Sequence, residues 1–220
     1  MIVTIDGPSG TGKTTISKLV AERLGFSHFD TGAMYRSVTW FLLDKSVDLS
    51  DLDLIQKQLC NFKYDIKDTD LGKRYYVNNK DVTDDIRSIK ITERVSVVSA
   101  FKFVRALLLE AQRQYGYQAS AVFEGRDLGS VVFPNAEFKF FLTASASVRS
   151  KRRLNELLSK NPNMEISEEQ ILESINKRDE FDSTREIAPL KCPEGAIVID
   201  TSNLTIDQVV NQIINCVLKK

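Results

Sequence analysis

The sequence predicts an α/β fold, and three observations carry that prediction. Residues 2–5, IVTI, are apolar and β-branched and stop at Asp6-Gly7-Pro8. A helical pattern starts after this glycine-rich turn at about Lys13, so the chain opens strand–turn–helix. Three later apolar runs, at 121–123, 138–142 and 196–199, are each brief and followed by turn or helix signals, as expected of parallel strands covered on both faces. With 220 residues, 42% hydrophobic and 27% charged, the chain has the composition of one globular domain or two small ones.

Taken in order, the first helix places Ile16, Leu19, Val20 and Leu24 at 3/4 spacing. FSHF at 26–29 reads as a second short strand, leading into a helix over 32–44. Residues 62–87 behave differently. FKYDI and KRYYVNN alternate like half-exposed antiparallel strands around a turn-like Asn78-Asn79-Lys80-Asp81, which makes this stretch a small insertion in the α/β core. Helices are expected at 89–114, 146–159, 167–180 and 205–218, the last with Thr205 as its N-cap. The segment 149–185 is densely charged, with Asn161-Pro162-Asn163 breaking it between two helices. It reads either as a solvated helical hairpin or as a mobile cationic lid. No internal repeat is visible.

Composition removes several function classes. Lys+Arg and Asp+Glu both number 30, which argues against a generally basic nucleic-acid binder. The longest apolar runs are too short to span a bilayer, and MIVTIDGPSG has no signal-peptide pattern. Cys60, Cys192 and Cys216 are odd in number and far apart, so they make neither a disulfide framework nor a metal pair. A cytoplasmic protein is expected, with no nucleic-acid or membrane partner.

The chemistry starts at Gly7-Pro8-Ser9-Gly10-Thr11-Gly12-Lys13-Thr14, which fits GxxxxGK(S/T) between a strand and a helix. Glycines let successive N–H groups point into one concavity, and the helix N-terminus adds partial positive charge. Lys13 can then reach the β- and γ-phosphates, and the Thr14 hydroxyl can join the coordination of Mg²⁺. A GTPase would also need DxxG, which is absent, and a guanine-reading NKxD after a strand. Asn176-Lys177-Arg178-Asp179 matches the second pattern only inside a charged helical stretch. The run 121–124 ends in Glu124 and is followed by Gly125-Arg126-Asp127, charges of both signs at the carboxyl end of a strand, where α/β sheets bind ligands. Arg36, Arg105 and Arg126 are candidates to converge on one phosphate, since guanidinium forks match phosphate oxygens. Thr31 is placed to cap the helix before Arg36.

The blocks GPSGTGKTT at 7–15, DTGAMYR at 30–36, DVTDDIR at 81–87, EGRDLGSVVFP at 124–134, RDEFDSTREIAPL at 178–190 and IDTSNLT at 199–205 run in the order seen in bacterial cytidylate kinases, and the chain resembles that family over almost its whole length. The resemblance implies a P-loop NTPase core with a five-stranded parallel sheet flanked by helices, a small antiparallel NMP-binding insertion and a short helical lid. The core would take about 1–38, 100–146 and 186–220, the insertion about 39–99, and the lid about 147–185, in a single kinase domain acting as a monomer. It implies transfer of the γ-phosphoryl group of ATP to CMP or dCMP with Mg²⁺. ATP would be held by residues 7–15, Thr15 included. Thr31, Arg36, Arg105 and Arg126 match positions holding the CMP phosphate or sugar, and Asp127 the sugar-side acid. Ser96, Arg178, Asp182 and Arg185 match positions contacting cytosine or acting near the phosphates. Glu124 stands where Asp is common in the family, and Thr14 where many members have Gly.

On this basis Lys13, Mg²⁺ and lid arginines (Arg149 or Arg153, with Arg178 and Arg185) would compensate charge on the moving phosphoryl, while Arg36, Arg105 and Arg126 hold the acceptor. The competing readings are a kinase for UMP, dTMP or shikimate, a nucleotide-dependent switch without transfer chemistry, and an RNA-binding module. His28, the only histidine, is expected to be structural rather than catalytic. Trp40 reads as helix core, and Lys219-Lys220 as a solvated end.

Overall fold

A computed structural model describes residues 1–70 and 72–219 of the chain. Two compact units emerge: Met1–Asp30 with Arg113–Lys220, and Thr31–Gln112.

The first unit is built on five parallel strands, β1 (Ile2–Asp6), β2 (Ser27–Asp30), β6 (Ala121–Gly125), β7 (Phe138–Thr143) and β8 (Ile197–Asp200), in the order β2-β6-β1-β7-β8. All four pairings are parallel, with Val3 opposite both Val122 and Phe138. Parallel neighbours need crossovers, and helices supply them. Helix α1 (Lys13–Leu24) follows β1, and α8 (Ile206–Leu218) follows β8. Their apolar stripes, Ile16, Val20 and Ala21 on α1 and Val209, Val210, Ile213 and Val217 on α8, close over Val3, Ile5, Val122, Phe140, Leu142 and Ile199. Phe29, Phe123, Phe133 and Tyr115 form a second, aromatic layer, with ring centroids 4.6–4.9 Å apart. Two further helices, α6 (Ala146–Lys160) and α7 (Glu168–Thr184), form a hairpin. Ser145 caps α6, Ser167 makes a capping box with Gln170 on α7, and Thr205 makes another with Gln208 on α8. Helix α7 runs four residues past the expected end at 180.

In the second unit, α2 starts at Thr31 itself, directly after β2, and runs to Asp44. A helix absent from the expectations follows, α3 (Leu52–Leu59), capped by Asp51 and burying Ile55 and Leu59. Then β3 (Tyr64–Thr69), β4 (Gly72–Val77) and β5 (Lys80–Asp81) make an antiparallel sheet. The turn is Asn78-Asn79 alone, with φ of 48° and 68°. Left-handed backbone at both central residues matches a tight hairpin, so Lys80-Asp81 pair as a strand instead of joining the turn. The single helix expected at 89–114 is two: α4 (Ile89–Ala100) and α5 (Lys102–Gln118), separated by Phe101 in extended conformation. The last residues of α5, from Arg113 on, belong to the first unit. Trp40 is half-buried, with the Lys80 ammonium 4.6 Å above its ring, rather than in the core. Lys219 is exposed, and Lys220 lies outside the described residues. Among the described residues, no helix is long and apolar enough to cross a membrane.

Candidate active site

The carboxyl ends of β1 and β6 position the site. After β1 the chain turns through Gly7, whose φ of 146° and close approach to β7 admit no side chain: a Cβ there would lie 2.2 Å from the Leu142 carbonyl oxygen. The loop ends at Gly12 in left-handed conformation, and α1 begins with no side-chain cap and no acid in its first turn. The side-chain caps on α6, α7 and α8 make the difference plain. The first N–H groups of α1 carry its positive end toward the loop without a built-in acceptor.

Inside the loop, the Pro8 carbonyl accepts from Lys13 Nζ at 2.7 Å and from Thr11 Oγ1 at 3.1 Å. Ser9 lends its carbonyl to Arg149 Nη1 at 3.1 Å. Arg149 is buried; it also donates to the Ala144 carbonyl at 3.1 Å and pairs with Asp179 at 2.5 Å. Thr201 Oγ1 lies 3.2 Å from the Thr11 carbonyl, and Arg152 grips Thr201 through both its hydroxyl and its carbonyl. Thr15 is exposed on the first turn of α1.

The second strand end brings the expected charges together. Asp182 is buried and accepts from Arg126 Nε at 3.3 Å, with Arg178 Nε 3.8 Å away. Arg185 Nη2 lies 3.5 Å from Asp127, both side chains almost fully enclosed. Burial, and then the charges of Arg126 and Arg178, hold the Lys13 ammonium well below the usual lysine range, against the opposite pull of Glu124 and Asp6. Three cationic groups are therefore gathered where the phosphate loop ends, a charge arrangement complementary to a multiply charged anion. Arg153 is elsewhere: it pairs with Glu156 at 2.7 Å along α6, half-exposed.

In the second unit, buried Arg105 places its guanidinium 5.5 Å from the Tyr35 ring centroid and donates to the Ser99 carbonyl at 3.2 Å. Ser99 in turn donates to the Ser96 carbonyl at 2.9 Å. Thr31 is buried and Arg36 half-buried on α2.

A family model described as cytidylate kinase matches residues 3–219. The chain belongs to the cytidylate kinase family. A cytidylate kinase from Protochlamydia amoebophila is 52% identical over 216 residues, spanning 97% of this chain and 95% of the relative. One from Fusobacterium nucleatum is 45% identical over 211 residues, spanning 96% and 94%. Among solved structures, a shikimate kinase from Bacteroides thetaiotaomicron superposes with a TM-score of 0.51 at 12% identity, over 100% of this chain and 99% of that one, a likeness of fold alone. As a cytidylate kinase family member the chain is a kinase, a nucleotide-binding transferase on a P-loop scaffold.

The family's phosphoryl chemistry generally calls for a divalent metal, and two oxygen donors here fit one. Thr14 Oγ1 donates to Glu124 Oε2 at 2.9 Å, so a hydroxyl and a carboxylate already converge beside Lys13. Among the described residues no group of three His, Cys, Asp or Glu side chains forms a cage.

Three residues here are not singled out by the sequence: Asp6, Arg152 and Asp179. Asp6 receives the N–H groups of Leu128 (2.9 Å) and Gly129 (2.8 Å), holding the turn just after Arg126-Asp127. Asp6 reads as a strand terminator, and Arg152 and Asp179 as charges of the 149–185 segment. Only the long-range contacts reveal them.

Proposed function

We propose that the chain transfers the γ-phosphoryl group of ATP to CMP or dCMP, giving ADP and CDP or dCDP. The observation that carries this reading is the trio of buried Lys13 and part-buried Arg126 and Arg178 at the end of the phosphate loop, in a chain whose relatives are named cytidylate kinases. Residues 7–15 would cradle the ATP phosphates through backbone N–H groups, and Lys13 would offset charge on the moving phosphoryl. Thr14 and Glu124 would hold Mg²⁺, whose charge would offset that of the phosphates. Arg126 would hold the acceptor phosphate in line and Arg178 and Arg185 would offset charge on the moving phosphoryl, with Asp127 toward the sugar and Asp182 toward cytosine, whose N4 donor and N3 and O2 acceptors ask for a carboxylate beside an arginine. The motif resemblance assigns Thr31, Arg36, Ser96 and Arg105 to the acceptor as well.

In this reading 147–185 acts as a lid and 39–99 as the acceptor-binding part of one kinase domain, with closure excluding water from the reaction. Arg149 would contribute mainly by fixing the loop at Ser9, and Arg153 would be recruited by lid movement. The enzyme would work as a cytoplasmic monomer on small nucleotides, with no nucleic-acid partner.

A coupled ADP-release assay with ATP and Mg²⁺ tests the proposal across CMP, dCMP, UMP, dTMP, AMP, shikimate and no acceptor. Rapid release with CMP and dCMP only is expected. Release favouring another acceptor would retain the phosphate loop and discard the cytosine assignment. No acceptor-dependent release would leave a nucleotide switch.

A further inference from the structure

His28 lies on β2, buried at 8% exposure. Its Nε2 is 2.9 Å from Ser17 Oγ and 3.3 Å from Glu124 Oε1. The other oxygen of Glu124 accepts the Thr14 hydroxyl, and Ser17 Oγ donates to the Thr14 carbonyl at 3.3 Å. A carboxylate only accepts, so this close polar approach, which is not a hydrogen bond, is attractive with the hydrogen on Nε2. The Ser17 oxygen then accepts from the same N–H while its own hydrogen goes to Thr14. Three hydrogen bonds and the His28–Glu124 approach together close a ring through Thr14, Glu124, His28 and Ser17.

Strand register builds this ring. Parallel pairing sets Asp30 opposite Glu124 and His28 opposite Val122, so the imidazole reaches Glu124 from two residues along the neighbouring strand. Glutamate has one more torsion than aspartate, and a carboxylate on that longer stem needs a contact on each oxygen to keep one orientation.

We propose that His28 is a positioning residue for the divalent-metal end of the site: it braces Glu124 from one side so that the opposite carboxylate oxygen stays turned toward Thr14. The inference rests on the reading of Thr14 and Glu124 as the metal-holding pair. Partners that orient a metal-binding carboxylate influence affinity without touching the ion.

The test uses Mn²⁺ as the probe, its free signal followed by electron paramagnetic resonance in the presence of ADP and excess protein. Calorimetry measures ADP binding without metal alongside. His28→Phe keeps a ring of similar size and removes the N–H. It should weaken Mn²⁺ binding by ~10-fold, the lower end of the effect of removing such partners, while metal-free ADP affinity stays as in the wild type. His28→Gln restores an N–H donor and should recover most of the loss. Glu124→Gln should weaken Mn²⁺ binding at least as much as His28→Phe. Should His28→Phe fail to fold, His28→Met fills the space without a donor and carries the same expectation. Wild-type Mn²⁺ affinity in the donor-free variant, with loss in Glu124→Gln, would overturn the role of His28 alone. Wild-type affinity in Glu124→Gln as well would overturn the metal pair itself.

Discussion

At Asp6, burial and hydrogen bonding pull in opposite directions. Full burial pushes the carboxyl up from 3.8 to about 6, and the nearby Asp127 charge adds to the rise, while the Leu128 and Gly129 N–H groups and the Lys13 charge pull it back. The folded chain therefore keeps a proton there that the unfolded chain loses near pH 4. Between about pH 4 and 6 the unfolded state binds fewer protons, so this residue makes stability fall as pH rises, by about 3 kcal/mol in all. Asp6→Asn abolishes that slope. Its amide has one acceptor for two N–H groups, at a cost of about 1–3 kcal/mol. Urea unfolding from pH 4 to 7 should show the wild type losing about 3 kcal/mol relative to the variant. Parallel pH curves would mean that Asp6 has no raised pKa. The sequence offered Asp6 as the end of a strand because its partners lie more than 120 residues away, on a turn that no local pattern ties to β1.

At the scale of elements, the parallel strands were legible because each is a short apolar run punctuated by glycine or by a capping residue. Where tertiary contacts or a single backbone rotation decide, periodicity failed. Phe101 has ψ of 124°, and its N–H still reaches the Val98 carbonyl while its own carbonyl starts α5 by accepting from Arg105. An apolar pattern crosses such a break unaltered. Helix α3 was missed although Asp51, Leu52, Ile55 and Leu59 carry a cap and 3/4 spacing. The hairpin of α6 and α7 was legible as two helices, but not the part of its charges: Arg149, expected among lid arginines facing the moving phosphoryl, is a buried strut from α6 to the phosphate loop, balanced by Asp179 of α7. Asp179→Ala leaves that guanidinium with carbonyl partners only. The expected loss is about 1–3 kcal/mol of stability, with a raised KM for ATP because the Ser9 carbonyl loses a fixed donor. Urea midpoints and ATP kinetics check it; an unchanged midpoint with unchanged KM would reduce the pair to a surface contact.

Across the whole molecule charge sums to zero, yet the phosphate-loop end of the sheet concentrates Lys13, Arg126 and Arg178. A site that holds cations against one another is stable only at some expense, and the bound phosphates proposed for it would reverse the sign. Lys13 carries most of this tension, since burial and two guanidinium groups all disfavour its ammonium. A lysine with a lowered pKa destabilises the folded state at every pH where it is charged, and that penalty fades as pH rises through the folded pKa toward 10.5. Lys13→Met keeps the stem and removes the charge. The Pro8 carbonyl retains the Thr11 hydroxyl, so no acceptor is stranded. The ligand-free variant should melt higher than the wild type near neutral pH, by about 2–4 °C for each kcal/mol relieved in a chain of this size. ATP should reverse the order. Saturating nucleotide stabilises the wild type by about 2.7 kcal/mol at a hundredfold excess over its Kd, and the variant should show little of that shift. Thermal melts of both proteins with and without ATP read the two effects together. A variant that melts lower without ligand would show that Lys13 is a structural tie of the loop; one that gains the full ATP shift would show that its ammonium is not what meets the phosphates. The expected crossing of the two melting orders is the signature of a site whose charge is arranged for its substrate at the expense of its own fold.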